Sequence, residues 1–552
     1  MKKNYSPFQM AFTFCLLLIP ILVTAQRDIY LVIGQSNTSG RGTIEAQDMT
    51  PLTGVDLFNA TTWEPAENTN AIHPDKGTSD GGFNRYSTVR NTNQPQGLNY
   101  AYTFGRMLNE VTGNQIGLVV NAIGGSKITE WEKGATEGYY AAALSRINAA
   151  LAIGGSNLKG ILWHQGEGNR NSTGSYLSRL EGMINNFRTD LGIPDLPVIV
   201  GQISKQRTDN GTFNTIIKTI ADSGDPAYIP YTDYVTSDGL QTLDRTHFNA
   251  NGQRVLGYRY AAKVLKMIYG YTYVENQKID VTQDAFTRGG TNADIAQEPL
   301  DDSLIRVKET STNASNTRRG LLEFDVSAIT GTSNRLIVDA SLIMNGDVDN
   351  GPVDINFYDI TTGWNESEVT FNSAPSFLNL LSSSTTTFNI DSADADGDLD
   401  VDELIHGGAD LTEFIKDEYD LGSSTIALGL MSDTDGSPQF KFSSKEDTGL
   451  GAYILVSYID TSVPPTLSNN KLEGKDSLAS IKITNPVNDE LIISSDAIIK
   501  NVSIHTITGQ QLKTKDINST SGTINVTNLM PGTYIVVFEN HNKKTSKLIV
   551  KK

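Results

Sequence analysis

The chain has 552 residues, of which 38% are hydrophobic and 19% are charged, with 49 glycines and 18 prolines. This composition is typical of a globular protein with many turns and excludes collagen-like, coiled-coil and wholly disordered chains. Lysine and arginine number 44 against 63 acidic residues, a formal net charge of −19. Because so acidic a surface repels phosphate backbones, nucleic acid is excluded as an expected partner.

Residues 1–25 have the features of a secretory signal peptide. Two lysines at positions 2 and 3 precede an apolar stretch, and Val23-Thr24-Ala25 has the small residues of a cleavage site. The single cysteine, Cys15, lies within this segment. Its removal leaves no cysteine, so we expect neither disulfides nor a cysteine nucleophile. An uncleaved membrane anchor is the alternative.

Residues 28–270 alternate short apolar runs with helical patterns. Near-continuous apolar strands between helices indicate an α/β three-layer fold with a parallel, flavodoxin-like sheet, in which sites form at the carboxyl ends of the strands. Strands are predicted at residues 28–33, 116–122, 160–163 and 196–202, and helices at 98–111, 139–151, 176–191 and 252–268.

From about residue 277 to 460 the helical periodicity disappears, and short β-type runs separated by turn residues indicate an antiparallel β-sandwich. The runs lie at 304–307, 320–326, 336–344, 353–357, 424–431 and 452–458.

A linker and a second all-β sandwich domain are predicted to follow. Paired prolines at 464 and 465 stop regular structure, and the net charge changes from −25 over residues 26–470 to +4 over 471–552. Strands are predicted at 490–493, 502–506 and 533–538. We therefore expect a signal peptide (1–25), an α/β domain (26–271), a β-sandwich (277–460), a linker (461–480) and a C-terminal domain (481–552).

The most informative motif, Gly34-Gln35-Ser36-Asn37, directly follows the first predicted strand. A serine there lies at the carboxyl edge of the sheet, where helix-start amides stabilise an oxyanion. A serine nucleophile also needs a base. Asp244 and His247, three residues apart, allow a carboxylate to orient an imidazole. Taken singly, a helix-capping Ser36 and a surface Asp244–His247 pair are equally good interpretations.

Four motifs in order resemble the SGNH (GDSL-like) hydrolase superfamily, specifically its sialate O-acetylesterase and carbohydrate esterase family 6 branch. They are Gly34-Gln35-Ser36-Asn37, Gly124-Gly125-Ser126, Trp163-His164-Gln165-Gly166-Glu167 and Asp244-Arg245-Thr246-His247. The resemblance covers roughly residues 26–270.

The resemblance implies a role for each motif. Ser36 would be the nucleophile, His247 the general base and then acid, and Asp244 the residue that orients His247. The oxyanion hole would use the amides of Ser36 and Gly125 (or its neighbour Gly124) and the side chain of Gln165, which stands in for the usual asparagine. Catalysis would need no cofactor. Supporting positions are Gln35, Asn37 and Glu167, with Glu167 as a hydrogen-bond acceptor near the serine loop.

The expected function is a secreted serine carbohydrate esterase that hydrolyses O-acetyl esters on a polysaccharide or a sialic-acid glycan, as acetylxylan esterases and sialate O-acetylesterases do. A carbohydrate-binding surface protein with an inactive esterase-like domain is the rival. A glycosidase pair of Glu167 with Asp190 or Asp233 explains fewer residues. Metal catalysis is disfavoured because no His-Glu-x-x-His motif occurs.

The middle segment resembles the DNRLRE-type β-sandwich, which is counted among carbohydrate-binding modules. The matching stretches are residues 284–290, 304–308, 318–326 and 364–372. Trp364, Arg306 and Arg319 are candidates for stacking on sugars or binding uronate carboxylates. A core tryptophan and structural ion pairs are the alternative.

Six aspartates between residues 391 and 402 suggest a structural calcium site. Aligned with an EF-hand loop, Asp394, Asp396, Asp398 and Glu403 fall at ligand positions, although position 1 is Ser392. A solvated acidic loop is the alternative.

The tail resembles the type A C-terminal sorting domain of the type IX secretion system, through residues 484–489, 508–510, 529–534 and 547–552. This implies the outer-membrane secretion machinery as a partner. It also implies secretion to the surface or surroundings of a Gram-negative, Bacteroidetes-type bacterium. A third sugar-binding sandwich is the alternative.

Overall fold

The computed structural model describes residues 26–207, 210–297, 303–350, 353–381, 388–390, 402–407, 409–461, 481–506, 511–539 and 544–552. The predicted signal peptide, nearly all of the predicted linker and the proposed calcium ligands Asp394, Asp396 and Asp398 lie outside these ranges, as does the side chain of Glu403. The chain divides into two compact units, Met1–Lys263 with Glu275–Tyr458, and Val264–Val274 with Ile459–Lys552. Within the described ranges, no helix has the length and apolarity needed to cross a membrane.

The first unit begins with a seven-stranded sheet in the order β3-β2-β4-β1-β5-β6-β7. All neighbours are parallel except β3, which is antiparallel to β2. The strands are β1 (Arg27–Gly34), β2 (Val55–Phe58), β3 (Trp63–Pro65), β4 (Gln115–Ala122), β5 (Ser156–His164), β6 (Val198–Gly201) and β7 (Thr232–Val235). The predicted α/β class is confirmed. The strands β2, β3 and β7 were not predicted, because three or four residues carry too little periodicity.

The central strand β1 is buried on both faces, as its unbroken apolar run predicts. Ile29, Leu31 and Ile33 point into a core on one face, while Tyr30 packs edge-on against Phe104 on the other, with ring centroids 5.0 Å apart. Helices cover the sheet, and the four predicted ones are present. The helices of this domain are α1 (Ser36–Ser39), α2 (Ala101–Thr112), α3 (Tyr139–Ala152), α4 (Tyr176–Leu191), α5 (Gly211–Thr219) and α6 (Ala250–Tyr269), of which α2, α3, α4 and α6 are the predicted ones.

The middle segment forms an antiparallel β domain, as predicted. Its strands follow the order β13-β12-β16-β10-β8-β18-β11-β17-β9, with β14 paired to β12 and β15 to β11. They are β8 (Thr272–Arg288), β9 (Leu304–Val307), β10 (Arg318–Asp325), β11 (Arg335–Asp349), β12 (Val353–Ile360), β13 (Phe377–Leu380), β14 (Phe388–Ile390), β15 (Asp402–Gly407), β16 (Thr425–Ser432), β17 (Gln439–Ser443) and β18 (Tyr453–Asp460).

The expectation that this segment lacks helical periodicity was wrong. Besides the short α7 (Ser327–Thr330), it contains α8 (Ala409–Leu421). Leu411 and Ile415 are one turn apart and buried, and the Thr412 hydroxyl accepts a hydrogen bond from the Ala340 amide at 3.1 Å. A single apolar stripe in a strongly acidic helix is easily overlooked in the sequence, but it suffices to pack the helix on β11.

A buried ion pair joins the β domain to the last helix of the α/β domain within the first unit. Arg259 on α6 donates to Asp339 on β11 at 2.7 and 3.1 Å, and also to the carbonyls of Thr236 and Asp238. Both side chains of the pair are nearly inaccessible to solvent. The two predicted domains are therefore in contact through a desolvated charge pair.

The second unit contains an antiparallel sheet in the order β19-β20-β22-β23, with β21 on β20. The strands are β19 (Lys482–Ile483), β20 (Glu490–Thr506), β21 (Gln511–Asn525), β22 (Gly532–Glu539) and β23 (Lys544–Lys551). The two strands predicted at 490–493 and 502–506 are one continuous strand, β20, so the prediction of two separate strands was wrong. Its core includes Val502, Ile504, Val536 and Phe538, which alternate along paired strands.

Candidate active site

The sheet register brings three of the four sequence motifs to one edge. Gly34, at the end of β1, is level with Ala122 on β4 and with His164 on β5. Gly34 has a φ of +148°, and an added Cβ would lie 2.1 Å from the His164 carbonyl oxygen. Only glycine fits such a close approach. The chain then turns so that Ser36 is the first residue of α1.

Ser36, His247 and Asp244 form a hydrogen-bonded chain. The Ser36 hydroxyl lies 3.0 Å from His247 Nε2, and His247 Nδ1 lies 2.7 Å from Asp244 Oδ2. With Nδ1 protonated towards the carboxylate, Nε2 accepts the serine hydroxyl proton. The structure therefore brings together two residues 211 positions apart in the sequence.

The loop that carries Asp244 and His247 is a tight turn. The Leu243 amide donates to the His247 carbonyl at 2.8 Å, and Arg245 adopts a left-handed φ of 66°. Asp244 Oδ1 accepts the backbone amides of Thr246 and His247 at 3.1 and 2.8 Å. Partial burial opposes ionisation of Asp244, but the hydrogen bonds from the ring and backbone of His247 outweigh it and lower the pKa. The carboxylate is thus held ionised beside the imidazole.

Asn37 connects α1 to the loop that carries Asp244 and His247 through hydrogen bonds of its side chain. Its side-chain nitrogen donates to Glu167 Oε1 at 2.6 Å and to the Thr246 carbonyl at 3.1 Å. Its side-chain oxygen accepts the Phe248 amide at 3.0 Å. Because these bonds reach both sides of His247 in the sequence, Asn37 fixes the imidazole relative to Ser36.

Glu167 is a buried carboxyl group behind the serine loop, only 4% exposed. One oxygen accepts the bond from Asn37, and the other has no partner among the described residues. Burial raises the pKa of Glu167 to about 7, although hydrogen bonds from its own backbone, Asn37 and Gly166 oppose that rise. Glu167 thus accepts a hydrogen bond from the residue that follows Ser36.

The predicted oxyanion residues differ in how free their N–H groups are. The amides of Ser36 and Gly125 donate no hydrogen bond within the described residues, and Gly125 is exposed at a φ of +81°. Gln165, by contrast, is fully buried, and its amide nitrogen lies within hydrogen-bond distance of three acceptors: Gln35 Oε1 at 3.1 Å, the Ser126 carbonyl at 2.9 Å and Asn169 Oδ1 at 2.8 Å. A side-chain amide has two N–H hydrogens, so Gln165 must give up one of these internal hydrogen bonds before it can donate to an oxyanion.

Asn169 is a site residue that the sequence analysis missed. Its side-chain oxygen accepts from both the Ile128 amide, at 2.9 Å, and Gln165. It therefore orients the Gln165 amide and ties it to the segment after Gly125. Gln35 holds the same loop by accepting the Gly168 amide at 3.2 Å. The available signal was an asparagine two residues beyond the third motif.

The alternative glycosidase carboxylates belong to separate networks. Asp190 accepts from Tyr140 at 2.8 Å and Lys133 at 2.6 Å, and Asp233 faces Lys263 at 3.5 Å. Glu167 is bound to Asn37 instead. These contacts give no support to a carboxylate pair.

Two candidate sugar-binding residues of the β domain are engaged by neighbouring side chains. The Arg319 guanidinium lies 4.6 Å from the centre of the Phe371 ring. Trp364 is partly buried against a core cluster that includes Ala285 and Leu321. These contacts favour the structural interpretation for Trp364 and Arg319.

Comparison with known proteins assigns the α/β domain. Residues 26–266 match the family model described as carbohydrate esterase, sialic acid-specific acetylesterase. The residues matched by this family model coincide with the α/β domain. A curated relative of the esterase domain is named "Probable carbohydrate esterase" in Arabidopsis thaliana and is 38% identical over 87 residues, which are 15% of this chain and 32% of the relative. The match thus spans about a third of that relative's length.

Solved structures that are similar to the chain include the following two. An Arabidopsis thaliana protein is 23% identical with a TM-score of 0.36, over 44% of this chain and 99% of that one. A structure described as a novel carbohydrate acetylesterase from Xanthomonas citri is 17% identical with a TM-score of 0.32, over 70% of this chain and 72% of that one.

The other two domains also match family models. Residues 275–458 match carbohydrate-binding module family 96, and residues 484–552 match a secretion system C-terminal sorting domain. The chain therefore combines an esterase domain, a carbohydrate-binding module and a sorting domain. The sorting domain marks the protein for type IX secretion to the cell surface or the extracellular space.

Proposed function

We propose that the esterase domain hydrolyses O-acetyl esters on a polysaccharide or a sialic-acid glycan, with Ser36 as nucleophile. The observation that carries this proposal is the chain from Ser36 Oγ through His247 to Asp244, with separations of 3.0 and 2.7 Å. A nucleophile, a base within hydrogen-bond reach and a third group that orients the base are the parts that acyl transfer requires.

The reaction proceeds in two steps. His247 Nε2 takes the Ser36 proton as Oγ attacks the acetyl carbonyl carbon, and the imidazolium then protonates the departing sugar oxygen, which leaves as a hydroxyl group. In the second step His247 removes a proton from water, which attacks the acetyl-serine; the imidazolium then returns that proton to Ser36 Oγ as the ester bond breaks and acetic acid leaves. Asp244 stabilises the imidazolium in both steps, since its lowered pKa keeps it ionised.

The negative oxygen of each tetrahedral intermediate would be bound by the amides of Ser36 and Gly125. Neither amide donates a hydrogen bond to another group in the described residues, so neither has to break a contact to bind the oxyanion. Gln165 is the proposed third donor, and Asn169 positions it through the 2.8 Å bond. Preorganised donors of this kind typically lower the barrier by a few kcal/mol each.

The glycan class of the substrate is supported by the carbohydrate-binding module on the same chain. A tethered module raises the local concentration of polymer near Ser36 without altering the chemical step. Secretion through the sorting domain would bring the enzyme into contact with polysaccharides outside the cell.

The test is acetate release by the full chain from p-nitrophenyl acetate, acetylated xylan and O-acetylated sialic acid. Ser36→Ala and His247→Ala should each lower kcat by roughly 10⁴-fold or more, as removal of nucleophile or base does in other serine hydrolases. Asp244→Asn should cost less than either if Ser36 and His247 retain activity as a pair.

Glu181→Gln, on the exposed face of α4, is the matched control and should leave the rates unchanged. Wild-type protein without activity on any acetyl ester would favour the rival function, a carbohydrate-binding surface protein with an inactive domain. Activity that survives Ser36→Ala would refute the assigned nucleophile.

A further inference from the structure

Three carboxylates from distant parts of the sequence meet in the β domain. Asp284 lies on β8, Glu366 in the segment after β12, and Glu446 just after β17. One oxygen of each lies within 4.8 Å of the other two. Like charges this close repel unless a cation or a proton lies between them.

Asp284 is the buried member of this carboxylate cluster. Its side chain is 0% exposed, and Oδ2 accepts the Lys445 amide at 2.7 Å. Its other oxygen, Oδ1, has no hydrogen-bond partner among the described residues. A buried carboxylate oxygen without a partner is costly, and a cation that reached this oxygen would remove that cost.

Lys445 supplies part of the countercharge. Its ammonium lies 2.8 Å from Glu366 Oε1 and also contacts Glu446. Three carboxylates and one ammonium leave a net charge of −2 when all are ionised. A divalent cation would balance that charge, and Lys445 is sufficiently exposed, at 27% of its side chain, to turn towards water.

We propose that Asp284, Glu366 and Glu446 bind a calcium ion that links β8 to the segments after β12 and β17. Calcium takes carboxylate oxygens at about 2.3–2.6 Å, so two oxygens on one ion can lie up to roughly 5 Å apart. The 4.8 Å limit on the observed separations falls within that range. Magnesium, which binds at about 2.0–2.1 Å and retains several waters, fits a set of three protein carboxylates less well.

The ion would act as a structural cross-link. Asp284 and Glu366 are separated by 82 residues, and the neighbouring Ala285 and Val369 share a core cluster. Holding these segments together would stabilise the carbohydrate-binding module without entering the esterase chemistry. None of these three carboxylates belongs to the acidic segment 391–403 of the sequence.

The test measures calcium binding by the full chain. After treatment with EGTA and dialysis, CaCl₂ is titrated by calorimetry, and bound metal is counted by elemental analysis. Asp284→Asn and Glu366→Gln should each weaken binding at this site at least tenfold. Lys445→Gln removes the ammonium that competes with calcium for the carboxylates. It should therefore tighten calcium binding severalfold, whereas the two carboxylate variants weaken it. Calcium should also raise the melting temperature, and MgCl₂ at equal concentration should do so less.

Asp396→Asn is the matched control, because it alters the acidic segment of the sequence without changing any of the three proposed calcium ligands. The proposal is overturned if the wild-type chain takes up no calcium, if Asp396→Asn alone abolishes uptake, or if Lys445→Gln weakens binding. Should Asp284→Asn fail to fold, Glu366→Gln and Lys445→Gln decide the question, since both positions are partly exposed.

Discussion

The buried carboxyl group of Glu167 makes the stability of the esterase domain depend on pH. Burial raises its pKa from 4.5 to about 7 in the folded state. Between these values the unfolded chain releases a proton that the folded chain retains, so this group makes the folded state less stable as pH rises. A difference of about 2.5 pKa units corresponds to about 3 kcal/mol above pH 7, at about 1.4 kcal/mol per unit.

Glu167→Gln removes this ionisation and preserves the contact to Asn37. The glutamine side-chain oxygen can still accept the 2.6 Å bond from Asn37. Its amide nitrogen would take the place of the unpartnered Oε2, at a cost of about 1–3 kcal/mol that does not vary with pH. The variant should therefore gain about 3 kcal/mol relative to the wild-type protein between pH 4 and pH 8.

The assay is the melting temperature of the esterase transition across this pH range, for both proteins. A change of about 3 kcal/mol corresponds to roughly 6–12 °C for a domain of this size. Glu181→Gln, on exposed α4, should follow the wild-type curve. If the curves for Glu167→Gln and wild-type protein run parallel from pH 4 to 8, Glu167 is ionised throughout, and the reasoning from burial is wrong.

Three further changes test the architecture of the site and of its support. Asn37→Ala removes the bonds to Glu167 and to both sides of His247, and it should lower kcat by roughly 10²-fold through misplacement of the base; an unchanged kcat in the folded variant would contradict this. Gln165→Met removes the proposed oxyanion donor and should lower kcat by about 10²–10³-fold. Asn169→Asp keeps the oxygen that accepts from Gln165, so its kcat should stay within about threefold of the wild-type value. A larger loss for Asn169→Asp than for Gln165→Met would assign the donor to Asn169. Asp339→Asn should lower the free energy of unfolding by about 3 kcal/mol, because it leaves a buried arginine without its carboxylate, and denaturant unfolding that shows no loss would refute a structural role for the ion pair.

Many of the candidate site residues could be predicted from the sequence because they lie in short segments with a recognisable pattern. The unbroken apolar run of β1 and the glycine that follows it determine that Ser36 stands at the end of a buried strand. The three-residue spacing of Asp244 and His247 lets one loop hold both side chains, and the observed turn does so. The order of four motifs indicated the esterase family, and separate short stretches indicated the binding module and the sorting domain; the family models confirm all three.

Other features depend on which segments meet, and local pattern does not determine this. Asn37 was visible beside Ser36, but its bonds to Glu167 and the Thr246 carbonyl exist only because β1, β5 and the loop before α6 converge. The engaged amide of Gln165 and the orienting oxygen of Asn169 depend on the same packing. Likewise, the Arg259–Asp339 pair and the cluster of Asp284, Glu366 and Glu446 join residues about 80 or more positions apart. Such contacts are fixed by strand register and domain docking, whose energies are summed over many residues, so only the tertiary structure decides them.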